Sequence, residues 1–336
     1  MTYASRQSSY LVAGLGGFLQ VVAGWWDVFS HILYSSVDPW WNPAHLTLYA
    51  AVAVTLFGVW RGLRVHSYQP PALSPIRFVN LAGLRLTGLG CLIEITAGVW
   101  NEIVHHIIGS EPRIAPAHAL LTVGMLTVNL GVVIGLTIEY GMIRREFIIA
   151  SARRRATVAL FVLLAFSAIW LAASGGLIYL AGVFRSSSLS WPIAFFLALF
   201  ATFVLVPLKR VMPSIGSAVG VSVTFNTVAY VLLVFYAGSK AYVPWGILPV
   251  VLFELVLNPL KSRLEFRHAV LFSSGLIGLF FGIVYYPFTV YLFPWSFSLQ
   301  PLILSPIVGS VIGALFGNGI YARLSSLVLG DVNASL

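Results

Sequence analysis

Apolar residues run along this chain in stretches of roughly 17–28, the length that an α-helix needs to cross a hydrocarbon core of about 30 Å. Short polar segments rich in Pro, Arg, Ser or Asp separate them. Ten stretches read as helices, at approximately 9–34, 44–64, 79–107, 116–141, 157–183, 191–208, 217–237, 243–260, 268–288 and 300–320. The predicted fold class is therefore all-α: a polytopic integral membrane protein of about ten transmembrane helices in five hairpins.

Charge gives the predicted orientation. Arg6, Arg61, Arg64, Arg77, Arg85, Arg144, Arg145 and Arg153–Arg155 fall in alternate segments, as do Lys209, Arg210, Lys261, Arg263, Arg267 and Arg323. Only Arg113, Arg185 and Lys240 fall in the others. Basic residues gather on the cytoplasmic side, so both termini are expected inside, in a cell membrane. The composition agrees: 336 residues, 59% hydrophobic and 9% charged. The net charge of +9 follows from this helix-end bias and implies no nucleic-acid partner. The single cysteine, Cys91, excludes an intramolecular disulfide and a Cys-rich metal site. The first apolar run carries Asp27 and His31 near its end and no small-residue cleavage site, so it is kept as a helix. The basic segment 144–156 is read as a cytoplasmic linker. It divides a four-helix unit, 1–143, from a six-helix unit, 157–336, to which no role is assigned.

The first four helices repeat themselves, about 9–65 against 79–141. Gly24, Trp26 and His31 recur at Gly98, Trp100 and His105, an offset of 74; Pro43, Ala44 and His45 recur at Pro116, Ala117 and His118, an offset of 73. Each hairpin starts on the same side, so the repeats are parallel. Asp27 and His31 are one helical turn apart and share a face. Pro43 suits the first turn of the next helix, so His45 opens that helix beside the end of the first. One carboxylate and two imidazoles are thus expected to converge near the outer face. Asn101, His105 and His118 repeat the arrangement with a neutral amide in place of the acid. Intramembrane ionisable residues are functional candidates, and imidazole with carboxylate suits copper, zinc or non-haem iron.

Other polar residues receive readings of their own. Glu94, seven residues before Asn101 and deeper, is a candidate proton relay or a neutral buried acid; its counterpart is Gln20. Glu102 and His106 lie off the ligand face. Trp25, Trp26, Trp40, Trp41 and Trp100 are read as interfacial aromatics that could also support the ligands. Asp38 and Glu111 are read as caps of the outer loops. Glu254 is read as an ion-pair partner of Lys261.

At these residues the chain resembles the C subunit of the copper membrane monooxygenases, the particulate methane and ammonia monooxygenase family. That subunit carries a D-x3-H-x12-H copper motif and, one hairpin later, N-x3-H-x13-H. Here the first motif reads Asp27-x3-His31-x13-His45 with the loop "DPWWNPAH", and the second reads Asn101-x3-His105-x12-His118 with "EPRIAPAH". The resemblance covers about residues 20–135, and the six C-terminal helices have no counterpart in it. It implies copper at Asp27, His31 and His45 and at Asn101, His105 and His118. It further implies O2-dependent oxidation of a small hydrocarbon or ammonia, in an assembly whose cupredoxin domain belongs to another subunit. Two other functions fit the residues. One is copper binding and delivery without catalysis. The other is a haem b electron-transfer subunit, in which Asp27 and Asn101 have no role.

Overall fold

The computed structural model describes residues 3–34, 41–67, 75–108, 116–145, 151–184, 190–237, 247–292 and 299–334. They form ten helices and, among the described residues, no strand. The helices are α1 (Tyr3–Tyr34), α2 (Pro43–Ser67), α3 (Pro75–Ile108), α4 (Pro116–Arg145) and α5 (Ala152–Phe184), then α6 (Ser190–Val211), α7 (Ser217–Ala237), α8 (Ile247–Leu260), α9 (Phe266–Leu292) and α10 (Leu299–Ala334). Among the described residues, seven helices are long and apolar enough to cross a membrane by length and composition. This is the build of an integral membrane protein, in which a helix satisfies its own backbone where no water can.

Helix ends follow local chemistry rather than the hydrocarbon boundary. Proline opens α2, α3 and α4 at Pro43, Pro75 and Pro116, where its missing N–H costs nothing. Asn42 caps α2, its Oδ1 accepting the Ala44 N–H at 3.0 Å. Ser151 caps α5 through the Arg154 N–H at 3.2 Å. Capped at Ser151, α5 takes in Arg153–Arg155, and α10 runs on past the predicted end at 320 to Ala334.

The chain divides into two compact units: Met1–Ala172 with Leu324–Leu336, and Ala173–Arg323. In the first, α1 packs along α2 and α3 along α4, with further contact of α1 to α4 and α2 to α3. Without a hydrophobic driving force between helices in lipid, close packing rests on small residues. A Cβ on Gly16 would meet Thr55 N at 2.7 Å and Ala51 O at 2.8 Å; one on Gly90 would meet Val128 N at 2.5 Å and Gly124 O at 2.8 Å. Likewise a Cβ on Gly58 would meet Ala13 N at 2.6 Å and Ser9 O at 2.9 Å, and one on Gly131 would meet Thr87 N at 2.6 Å and Gly83 O at 2.5 Å. Trp25 departs from its reading as an interfacial aromatic. It is 4% exposed and its Nε1–H donates to Leu171 O at 2.7 Å, tying α1 to α5. Its flat apolar body is worth more in the core once the indole N–H has a partner. Trp41 and Trp100 are exposed.

In the second unit, Gly309, Gly313 and Gly317 recur every four residues on α10 and bring its backbone onto Phe195, Leu199 and Phe203 of α6. Thr202 Oγ1 donates to Ser310 O at 2.8 Å across the same contact. Glu254 of α8 does not pair with Lys261. Its Oε1 lies 3.1 Å from Lys209 Nζ of α6, and both side chains are buried. The carboxylate also accepts the N–H groups of Gly216 (2.5 Å) and Ala218 (2.7 Å) at the start of α7. An acid at a helix N-terminus satisfies orphan N–H groups and the macrodipole together. That outweighs an exposed partner seven residues on, just past the end of α8; Lys261 instead reaches Pro213 O at 3.5 Å.

Candidate functional site

Three helix ends meet in the first unit. Asp27 lies in the last third of α1. His45 and His118 are each the third residue of a helix that begins with proline, α2 and α4. The proline fixes the first turn, so each imidazole is set at the helix entrance rather than in a loop. His45 Nε2 lies 2.8 Å from Asp27 Oδ1, and His118 Nε2 lies 3.9 Å from Asp27 Oδ2. All three are buried: Asp27 is 2% exposed, His45 8% and His118 7%. One carboxylate therefore faces two imidazoles from two different helices. Buried charge at this density demands pairing, and a carboxylate between two imidazoles supplies it.

Below this cluster opens a cavity of about 230 Å³. Asp27, His45 and His118 stand in its wall with Asn101, Tyr49 and Glu94; the rest of the lining is aliphatic, Leu48, Val52, Leu56 and Leu121 among it. Glu94 is 3% exposed and packs against Gly124, where a Cβ would meet its Cγ at 2.5 Å. Neither Glu94 carboxylate oxygen has a hydrogen-bond partner among the described residues.

The sequence-predicted residues divide as follows. Asp27 and His45 of the first trio meet, and His118 of the second joins them. Asn101, half-buried, lines the same cavity. His31 and His105 lie on α1 and α3, but their side chains, like Asp38, Trp40 and Glu111, lie outside the described residues. Glu102 and His106 are exposed, in keeping with positions off the ligand face. Tyr49 was not foreseen. Its ring centroid is 6.3 Å from that of His45, and the signal was its place one turn after that histidine.

The donor set is chemically apt for a transition metal. Atoms sharing an ion at about 2.0–2.2 Å lie no farther apart than about twice that distance, and both imidazoles meet this limit with Asp27. Among the described residues no group of three or more His, Cys, Asp or Glu closes around one point.

Fold and site together define a helical protein built for a bilayer, with a carboxylate–imidazole cluster above a mainly apolar cavity. Comparison with family models, with curated proteins and with solved structures finds no match to this chain.

Proposed function

We propose that the chain is a membrane copper-binding oxidoreductase subunit similar to the C subunit of the copper membrane monooxygenases. Asp27, His45 and His118 are the ligands that the geometry favours, with His31, His105 and Asn101 completing two adjoining sites. The observation that carries the reading is the carboxylate of Asp27 facing the Nε2 atoms of both His45 and His118. Copper bound there supplies redox activation of O2. The protein's part is to bury the ligands, to fix Asp27 between the imidazoles and to keep an aliphatic cavity beside them for a small apolar substrate or ammonia. Asp27 adds anionic charge that favours the oxidised metal, and Asn101 leaves its side neutral.

The matched glycine contacts support an internal duplication. Gly16 on Thr55 and Ala51 corresponds to Gly90 on Val128 and Gly124; Gly58 on Ala13 and Ser9 corresponds to Gly131 on Thr87 and Gly83. Every pair obeys the offsets of 74 and 73 found for the ligands. A parallel repeat of two hairpins explains why two unequal trios come to adjoin. The arginine asymmetry supports termini on the inner side and the ligands near the outer face. A cupredoxin-domain partner subunit belongs to the same reading.

Purified protein loaded with copper and freed of excess should hold the metal, with an electron paramagnetic resonance signal of nitrogen-coordinated Cu(II). His45→Ala and His118→Ala should each lower the copper content. Wild-type protein that retains no copper, or variants that retain it undiminished, would remove the proposal. A Soret band in place of copper would establish the haem alternative.

A further inference from the structure

Beneath the cavity the first unit holds a file of polar side chains of which the copper reading uses only the uppermost, Asn101. On α3, Asn80, Thr87, Glu94 and Asn101 recur every seven residues, and the first three are buried in the bundle. At 1.5 Å per residue they extend over about 32 Å, the full thickness of a hydrocarbon core. Neighbouring helices add polar groups at each level. Gln20 of α1 donates from Nε2 to Thr55 Oγ1 of α2 at 2.8 Å. Asn129 of α4 donates to Gly17 O at 3.2 Å. The Tyr10 hydroxyl donates to Asn80 O, and Asn80 Nδ2 donates to Glu139 Oε1 of α4 at 3.2 Å. Beyond Tyr10, one turn down α1, Gln7 Oε1 accepts from Arg154 Nε at 2.7 Å, at the end of the unit opposite Asp27.

Hydrogen bonds between helices could explain the donors, but not the acceptors left over. Gln20 Oε1, Asn129 Oδ1, Asn80 Oδ1 and both oxygens of Glu94 are buried and meet no donor among the described residues. Each such atom costs about 1–3 kcal/mol unless something donates to it, and four side chains in one file concentrate that cost along one line. Buried acceptors of this kind are satisfied by ordered water. The two carboxylates, Glu94 at the cavity and Glu139 near the other end, are the groups in the file that take up and release a proton.

We propose that this file is a proton path joining the cavity to the opposite end of the unit. A proton taken up at Glu139 passes along water held by Asn80, Tyr10, Thr87, Asn129 and Gln20 to Glu94. Each hop breaks one O–H bond and forms another, and no electron moves. The path delivers or removes protons at the cavity whatever is bound there, so it stands apart from the copper assignment.

The test uses the full chain, without copper, in liposomes that enclose a pH-sensitive dye, with a potassium diffusion potential set by valinomycin. Wild-type vesicles should take up protons faster than protein-free vesicles, equally in sodium and in choline buffers. Glu94→Gln and Glu139→Gln keep the side-chain shape and should bring the rate down to the protein-free level. Asn129→Leu, which plugs the file without touching a carboxylate, should do the same. Glu265→Gln, at an exposed residue outside the file, should leave the rate unchanged. Helical circular dichroism and a single elution peak in detergent establish that each variant is folded. Wild-type flux no faster than in protein-free vesicles, flux that needs sodium, or folded Glu94→Gln and Glu139→Gln proteins that conduct like wild type would overturn the proposal.

Discussion

Asp27 Oδ2 lies 3.9 Å from His118 Nε2, across 91 residues of sequence. The contact joins two motifs that look independent along the chain, because each has its own acid or amide and its own pair of histidines. In space the first motif's carboxylate serves both halves.

That sharing makes Asp27 more important than its partner amide. Asp27→Ala removes the carboxylate that faces both imidazoles and should lower bound copper to background. Asn101→Ala, at the cavity wall, should leave a larger share. Metal analysis of the two purified variants after identical loading checks the order; equal losses would show that the two halves bind independently.

Close approach of α3 and α4 predicts a stability difference between two glycines. A Cβ at Gly131 would lie 2.5 Å from Gly83 O and 2.6 Å from Thr87 N, so Gly131→Ala forces backbones apart. The expected cost is about 1–3 kcal/mol. Nothing lies within 4 Å of a Cβ at Gly141, also in α4, where Ala should instead stabilise by about 0.4–1 kcal/mol. Thermal unfolding in one detergent, followed by circular dichroism, should move the two midpoints in opposite directions.

The buried Lys209–Glu254 pair carries a different expectation. Lys209→Ala strands a carboxylate that is 3% exposed, and breaking a buried pair from one side costs about 3–5 kcal/mol. Lys261→Ala, at an exposed amine that reaches a carbonyl at 3.5 Å, should fall within about 0.5 kcal/mol of wild type. Unfolding midpoints of the two variants distinguish this pairing from the expected one with Lys261.

Cys91 should resist chemistry in the folded protein. It is fully buried, in a cluster with Val52 and Val128. A membrane-permeant maleimide should leave it unlabelled in detergent and modify it once the protein is denatured, as intact mass spectrometry would record. Rapid labelling of the native protein would mean that the α2–α3–α4 contact opens.

Much of the architecture could be read from residue order, since its causes are local. Apolar runs of membrane length became helices, and the prolines at 43 and 116 opened α2 and α4 where their chemistry permits. The histidines two residues later could be placed for the same reason. Other features depended on partners far along the chain. Trp25 looked interfacial until Leu171 offered an acceptor. Glu254 looked paired with Lys261, just past the end of its helix, until α6 brought Lys209 to it and the start of α7 brought two N–H groups. The seven-residue spacing of Asn80, Thr87, Glu94 and Asn101 was present in the sequence throughout. Its meaning needed Tyr10, Gln20, Asn129 and Glu139 from other helices at the same levels.

The sequence by itself determined that this protein is built of apolar helices, seven of them of bilayer length among the described residues, and which ends of them carry donors, because hydropathy, proline and helical periodicity act over a few residues. Tertiary structure alone decided that His118 faces the carboxylate of Asp27 and that the buried polar groups line up beneath it. Those relationships depend on how closely glycine lets one helix approach the next, which no single segment can specify.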